Sequence, residues 1–227
     1  MVTKIIPSIF RIRNRYLHRG NLPHAVYTLA LLNSFNALID GFIDDGVGLT
    51  SGFLTPRLAA QLRDNLLRFN AADTLLAAGT GNKSGVTHDQ AVRRDKIRWL
   101  DLVHGDPHEA AFFAVMDAFV THLNATCYTG ITGYEFHYAL YETGSFYKKH
   151  LDQFSNDSRR KYSMILYLTP DWHSGDGGEL CIHTVAGLRH IAPIDGNGVF
   201  FRSNELEHEV LVTHKPRMSI TGWLKVN

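Results

Sequence analysis

At 227 residues, 44% hydrophobic and 20% charged, the chain has the composition of one ordinary globular domain, or of one domain with a modest extension. A net charge of +1 provides no global field for binding nucleic acid or a membrane surface. Cys127 and Cys181 are too few for a disulfide scaffold and lack metal-site spacing, so they read as reduced thiols in a cytoplasmic compartment.

Residues 1–39 contain no Asp or Glu but carry Lys4, Arg11, Arg13, Arg15 and Arg19, leaving 18 cations against 22 acids in the remainder. This basic extension could dock on an acidic partner such as RNA, or act as a transit-like leader. The favoured reading is an extension with one helix, 24–39, packed on a catalytic domain spanning 40–227. The longest apolar stretch, 25–39, is interrupted by Asn33, Ser34 and Asn36 and falls short of a membrane span, so no membrane role is expected.

Residues 38–54 predict a short helix, then a short strand entering a turn. Thr55 and Pro56 open a helix over 56–70 with Leu58, Leu62, Leu66 and Phe69 on one stripe. The Gly-, Thr- and Ser-containing segment 79–85 lacks a full nucleotide-binding pattern and predicts a mobile loop. A strand follows over 92–102, with Ile97, Trp99 and Asp95 inward. His104-Gly105-Asp106 reads as a turn and helix cap, because Pro107 and an apolar helix over 108–127 come directly after it. Phe112, Val115, Phe119 and Leu123 form that helix's buried stripe, expected beside helix 56–70.

Beyond Gly130 the pattern becomes short strands split by turns: 133–141, 145–152, 160–169, 178–184, 189–192, 197–202, 208–212 and 217–225. Helices first and antiparallel strands after predict a mixed, mainly β fold with a double-layered core buttressed by N-terminal helices. His150 and Asp152 lie two residues apart, so on extended chain their side chains point the same way. With His208 they make a two-His, one-carboxylate set, which suits non-haem iron(II), although a zinc hydrolase could use the same three ligands. In the final strand Arg217, Ser219, Thr221 and Trp223 share one face, and Met218, Ile220 and Leu224 the other. An Arg on a lined face can grip a carboxylate with two hydrogen bonds.

VRRDKIRW (92–99), HYALYETGSFYKKHLD (137–152), RKYSMILYLTPDW (160–172), GGEL (177–180) and HEVLVTHKPRMSITGW (208–223) together resemble the 2-oxoglutarate- and iron(II)-dependent prolyl 4-hydroxylases. The resemblance is to the hypoxia-sensing type and its bacterial homologues. It implies a jelly-roll, or double-stranded β-helix, of the cupin-like kind. It implies iron(II) on His150, Asp152 and His208, with 2-oxoglutarate and dioxygen as co-substrates and ascorbate as a further cofactor. Tyr167 and Arg217 would hold the distal carboxylate of 2-oxoglutarate, Thr221, Ile165 and Leu180 would wall its pocket, and Tyr141 would hydrogen-bond near the iron. Tyr147, Arg160 and Trp223 would meet substrate. Arg93 and Asp95 would sit at the mouth, with Asp95 pairing Arg160. The implied reaction converts 2-oxoglutarate to succinate and carbon dioxide while hydroxylating a proline at its 4-position. The implied partner is a protein presenting a proline, with elongation factor Tu a plausible client. Rival readings keep the cofactors but change the substrate to a small molecule or nucleic acid, or replace the oxygenase with a cupin-like metal-binding protein.

Overall fold

A computed structural model describes residues 24–80, 87–153 and 157–226, with side chains from Leu29 onward. The basic residues Lys4 to Arg19 and most of the expected loop 79–85 lie outside the described residues. Thr80 and Thr87 exchange two backbone hydrogen bonds of 2.8 Å at the base of that segment.

Helix α1 runs His24–Asp45, joining the expected helix 24–39 and the short helix expected after it into one, and strand β1 follows at Val47–Thr50 as expected. Helix α2 spans Pro56–Ala71; the Thr55 hydroxyl accepts from the Leu58 N–H and caps it. Strands β2 (Leu76–Ala77) and β3 (Lys96–Trp99) are short. Asp106 caps helix α3 (Pro107–Cys127), its carboxylate accepting from the N–H groups of His108 and Glu109, as its place before Pro107 predicts. Strands β4 (Gly133–Tyr141), β5 (Tyr147–His150), β6 (Arg160–Tyr167) and β7 (Leu180–Thr184) come next. The chain closes with β8 (Gly187–Ile191), β9 (Gly198–Arg202), β10 (His208–Val210) and β11 (Arg217–Lys225).

The strands form two antiparallel sheets, one ordered β1-β9-β6-β11-β4-β3-β2 and the other β5-β10-β7-β8. Alternation divides the larger sheet's side chains between two cores. Met218, Ile220 and Leu224 face the helices, joining Phe35, Leu38, Leu62, Phe112 and Phe119. Ile165, Tyr167, Val199 and Phe201 face the smaller sheet, meeting Leu180, Ile182 and Val210 in the second core. The candidate site lies on this second layer, between the sheets.

By length and composition α3 could cross a bilayer, which corrects the expectation that 25–39 is the strongest stretch. Here Phe112, Met116, Phe119 and Leu123 of α3 pack into the first core, and Glu109 is buried at its start.

At Gly48 and Gly222, close approach leaves no room for a side chain. A Cβ on Gly48 would strike the Leu38 carbonyl where α1 crosses β1, and one on Gly222 would strike the Glu135 carbonyl and the Phe136 ring. Gly48→Ala is expected to destabilise the fold by about 2 kcal/mol or more. Gly133→Ala, which meets open space, should change stability by less than about 0.5 kcal/mol. Urea denaturation midpoints of the two variants check the contrast.

Candidate active site

β5 and β10 pair antiparallel with His208 directly opposite His150. The chain leaves β5 with Leu151 half-exposed and Asp152 buried, so Asp152 turns back beneath both imidazoles. The Nε2 atoms of His150 and His208 each lie 3.5 Å from an Asp152 carboxylate oxygen, one to Oδ1 and the other to Oδ2. One ligand atom from each residue falls within 4.8 Å of the other two.

The opposite edge of each ring determines its tautomer. His150 Nδ1 is 2.7 Å from the Lys148 carbonyl and His208 Nδ1 is 3.0 Å from the Leu206 carbonyl. A carbonyl only accepts, so both Nδ1 atoms donate to it and both Nε2 atoms face Asp152. Burial pushes the His208 imidazole down to about 4, against the pull of Asp152. Burial works against the Asp152 charge, yet the two imidazoles and the Ser163 hydroxyl hold its carboxyl far below the usual carboxylate range. The two Nε2 edges and the Asp152 carboxylate thus converge on one point, and a cation is what satisfies such a set. Two imidazoles and one carboxylate fit iron(II) with positions left open.

Ser163 and Ser203 support the carboxylate. Ser163 Oγ donates to Asp152 Oδ2 at 2.7 Å and lies 2.9 Å from Ser203 Oγ. Ser163 shares its strand face with Ile165 and Tyr167, but nothing in the sequence assigns it this bond, because Asp152 arrives from a different sheet. The Tyr147 ring stacks on His150 at 3.6 Å between centroids, and the Arg93 guanidinium lies 4.4 Å over Tyr147.

Deeper between the sheets, Arg217 is 2% exposed. Its Nη1 donates to Ser219 Oγ at 3.2 Å, and Ser219 Oγ is 3.3 Å from Thr221 Oγ1. Its guanidinium lies 4.8 Å from the Tyr141 ring and 5.1 Å from the Tyr167 ring. Gly178, at φ +76°, lets the chain pass over the arginine stem; a Cβ there would come 3.1 Å from Arg217 Cδ. Arg217 Nε and the Tyr167 hydroxyl are both buried without a hydrogen-bond partner among the described residues. Burial raises the Tyr167 phenol and the Arg217 charge offsets this only in part, so the hydroxyl keeps its proton as a donor. A buried guanidinium beside an orphaned hydroxyl is costly alone and suits an anion, with Ile165 and Leu180 supplying apolar walls.

Outside the triad opens a cleft of about 470 Å³ that Asp152, Tyr147, Arg93, Trp99, Arg160 and Trp223 help to line. Trp99, expected inward, lines this cleft but is 43% exposed. Trp223 is 6% exposed, and its buried Nε1 has no partner among the described residues. The Arg160 guanidinium lies 3.5 Å from the Trp223 ring and pairs with Glu135 at 2.8 Å. Asp95 does not pair with Arg160 as expected. Arg93 forks it, Nε to Oδ1 at 2.6 Å and Nη2 to Oδ2 at 2.8 Å. The sheet order explains the correction: β11 and β4 separate the strand of Arg160 from that of Asp95, roughly 14 Å at ordinary strand spacing. His137, to which the sequence reading assigns no role, is buried between Trp99 and Trp223 with ring centroids at 5.2 and 5.6 Å.

The family model of the 2OG-Fe(II) oxygenase superfamily matches residues 136–225, which include every residue of the triad and Arg217. A crystal structure of a prolyl-4-hydroxylase from Pseudomonas putida is 31% identical; the match covers 85% of this chain and 99% of that one, with a TM-score of 0.76. The chain belongs to the 2OG-Fe(II) oxygenase superfamily. Two further prolyl hydroxylases share the fold. The one from Trichoplax adhaerens, in complex with a hypoxia-inducible-factor degradation-domain peptide, has 21% identity and a TM-score of 0.79, covering 89% of this chain and 94% of that one. The one from Phytophthora capsici has 20% identity and a TM-score of 0.68, covering 94% and 69%. This oxygenase therefore has the jelly-roll architecture expected, and its family uses iron(II), 2-oxoglutarate and dioxygen.

Ser163→Ala removes one of the bonds that aim Asp152, and manganese(II) affinity measured by calorimetry is expected to fall roughly tenfold with the fold retained. His137 supplies a pH prediction. Burial, with the Arg93 charge, pushes its imidazole down to about 4 from 6.5. The folded value lies below the unfolded one, so this contribution to stability is complete above pH 6.5 and is lost as pH falls through about 4, a change of order 3 kcal/mol. In His137→Asn, the loss of stability between pH 7 and pH 4.5 should be visibly smaller than in the parent protein.

Proposed function

We propose that this oxygenase hydroxylates a prolyl residue of a protein substrate at the 4-position. One observation carries the reading: a cleft lined by the aromatic side chains of Tyr147, Trp99 and Trp223 reaches Asp152 of the triad. Aromatic faces suit a pyrrolidine ring, whose C–H bonds are polarised by the amide nitrogen. The open cleft accepts extended chain on either side of the proline. The Pseudomonas putida prolyl-4-hydroxylase supports the same substrate class, as does the peptide bound to the Trichoplax adhaerens enzyme.

In this reading His150, Asp152 and His208 hold iron(II). Arg217 and Tyr167 take the distal carboxylate of 2-oxoglutarate, satisfying the two atoms that lack partners. Thr221, Ile165 and Leu180 shape that chamber, and Tyr141 presses on the guanidinium. Iron with 2-oxoglutarate and dioxygen supplies the oxidising chemistry at the C–H bond, the keto acid leaving as succinate and carbon dioxide. Tyr147 shields the outer face of His150. Arg160 and Trp223 orient the peptide, and the Arg93–Asp95 pair braces Tyr147 from outside. Ascorbate serves as the accessory reductant, the working compartment is the cytoplasm, and elongation factor Tu is the first client to test.

The test incubates the enzyme with iron(II), 2-oxoglutarate and bacterial lysate proteins, then maps oxygen insertion by peptide mass spectrometry. One oxygen on a proline, formed with stoichiometric succinate and absent with Trp223→Ala, is the expected outcome. Succinate formed only when a small metabolite or nucleic acid is supplied, with no modified proline, would replace the protein substrate by that alternative.

A further inference from the structure

Strand alternation places a second group of metal-ligating side chains on the outer face of the smaller sheet, away from the site described above. Leu180 and Ile182 of β7 point into the core, so Cys181 and His183 point outward. On β10, His208 and Val210 point inward and Glu209 outward. Register then brings the outward residues together. Glu209 lies directly opposite Cys181 across the β10–β7 ladder, and His190 lies directly opposite Cys181 across the β7–β8 ladder. His183 Nε2 is 2.9 Å from Glu209 Oε1, and Cys181 Sγ is 3.9 Å from His190 Nε2. Ligand atoms of Cys181, His183 and Glu209 lie within 4.8 Å of one another.

We propose that Cys181, His183 and Glu209, with His190 as fourth donor, form a second metal site that takes zinc(II) or a similar borderline-soft divalent cation. A thiolate, two imidazoles and a carboxylate are the donor types zinc prefers, and four of them complete its tetrahedron. Donors on a tetrahedral zinc stand roughly 3.3–3.8 Å apart, so rotamer changes within this cluster are enough to close the site. The iron-type triad contains no sulfur, so the two sites differ in softness and select different metals. Coordination requires Cys181 to give up its proton to solvent as the metal–sulfur bond forms. The bound ion clamps β7 to β10 and β8 from outside, directly behind His208, and stabilises the folded chain by mass action.

Cobalt(II) is the probe, because a thiolate ligand produces an intense near-ultraviolet charge-transfer band that nitrogen and oxygen ligands do not. Titration of the full-length protein is expected to develop this band to the intensity of one thiolate-bound cobalt per chain, whatever further cobalt the triad takes up, and zinc(II) should bleach it. The band should persist in Cys127→Ser and vanish in Cys181→Ser. His183→Asn, at a half-exposed position, should keep the fold and weaken cobalt binding by roughly tenfold or more. A folded parent protein that develops no band, a band that survives Cys181→Ser, or unchanged affinity in His183→Asn would overturn the proposal.

Discussion

Three ligand atoms held around one point, from His150, Asp152 and His208, are the constraint on which the rest of this structure depends. The Asp152 carboxyl is held far below the usual carboxylate range, and both imidazoles turn their Nε2 edges toward it. The Lys148 and Leu206 carbonyls anchor the Nδ1 edges, so the backbone of two strands aims both rings at the carboxylate and leaves an imbalance that a cation relieves. A comparable imbalance lies deeper, where Arg217 Nε and the Tyr167 hydroxyl are buried donors awaiting an acceptor. The two imbalances are complementary, since a chelating diacid brings oxygen atoms to the metal at one end and to the guanidinium at the other.

The double-layered fold makes this pairing possible. Arg217 belongs to the larger sheet and the triad to the edge of the smaller one, so the chamber between them is bounded on two sides by rigid ladders. The helices contribute nothing directly. They cover the opposite face of the larger sheet, where Met218, Ile220 and Leu224 alternate with the functional residues of β11. A one-residue slip of β11 would bury Arg217 among the phenylalanines of the helical core and turn Met218 toward the chamber between the sheets, so the ladders to β4 and β6 also fix which side chains face that chamber.

Much of this was legible in the sequence because it follows local periodicity. The alternation in 217–225 separates the site face from the core face without reference to any other strand. Asp106 announces itself as a cap through Pro107, which removes His104 from the list of metal ligands. The misses share a different cause, since each depends on which strands become neighbours. Asp95 was assigned to Arg160 although two strands lie between them, while Arg93 shares its face two residues away. Ser163 meets Asp152, and Ser203 meets Ser163, only after β6 and β9 have paired beneath it. His137 becomes part of the cleft through its register with Trp99 on one side and Thr221 on the other. The continuity of α1 through to Asp45 was hidden because its last turns carry Gly41 and acidic residues, which weaken the helical signal.

The central claim is that a metal and Arg217 hold opposite ends of one organic diacid. Calorimetric titration of 2-oxoglutarate into the manganese(II)-loaded protein tests it most directly, compared with metal-free protein and with Arg217→Ala. Binding that needs both the metal and the guanidinium, weakening by about tenfold or more when either is removed, is what this account predicts. Equal affinity in the absence of metal or of Arg217 would contradict it.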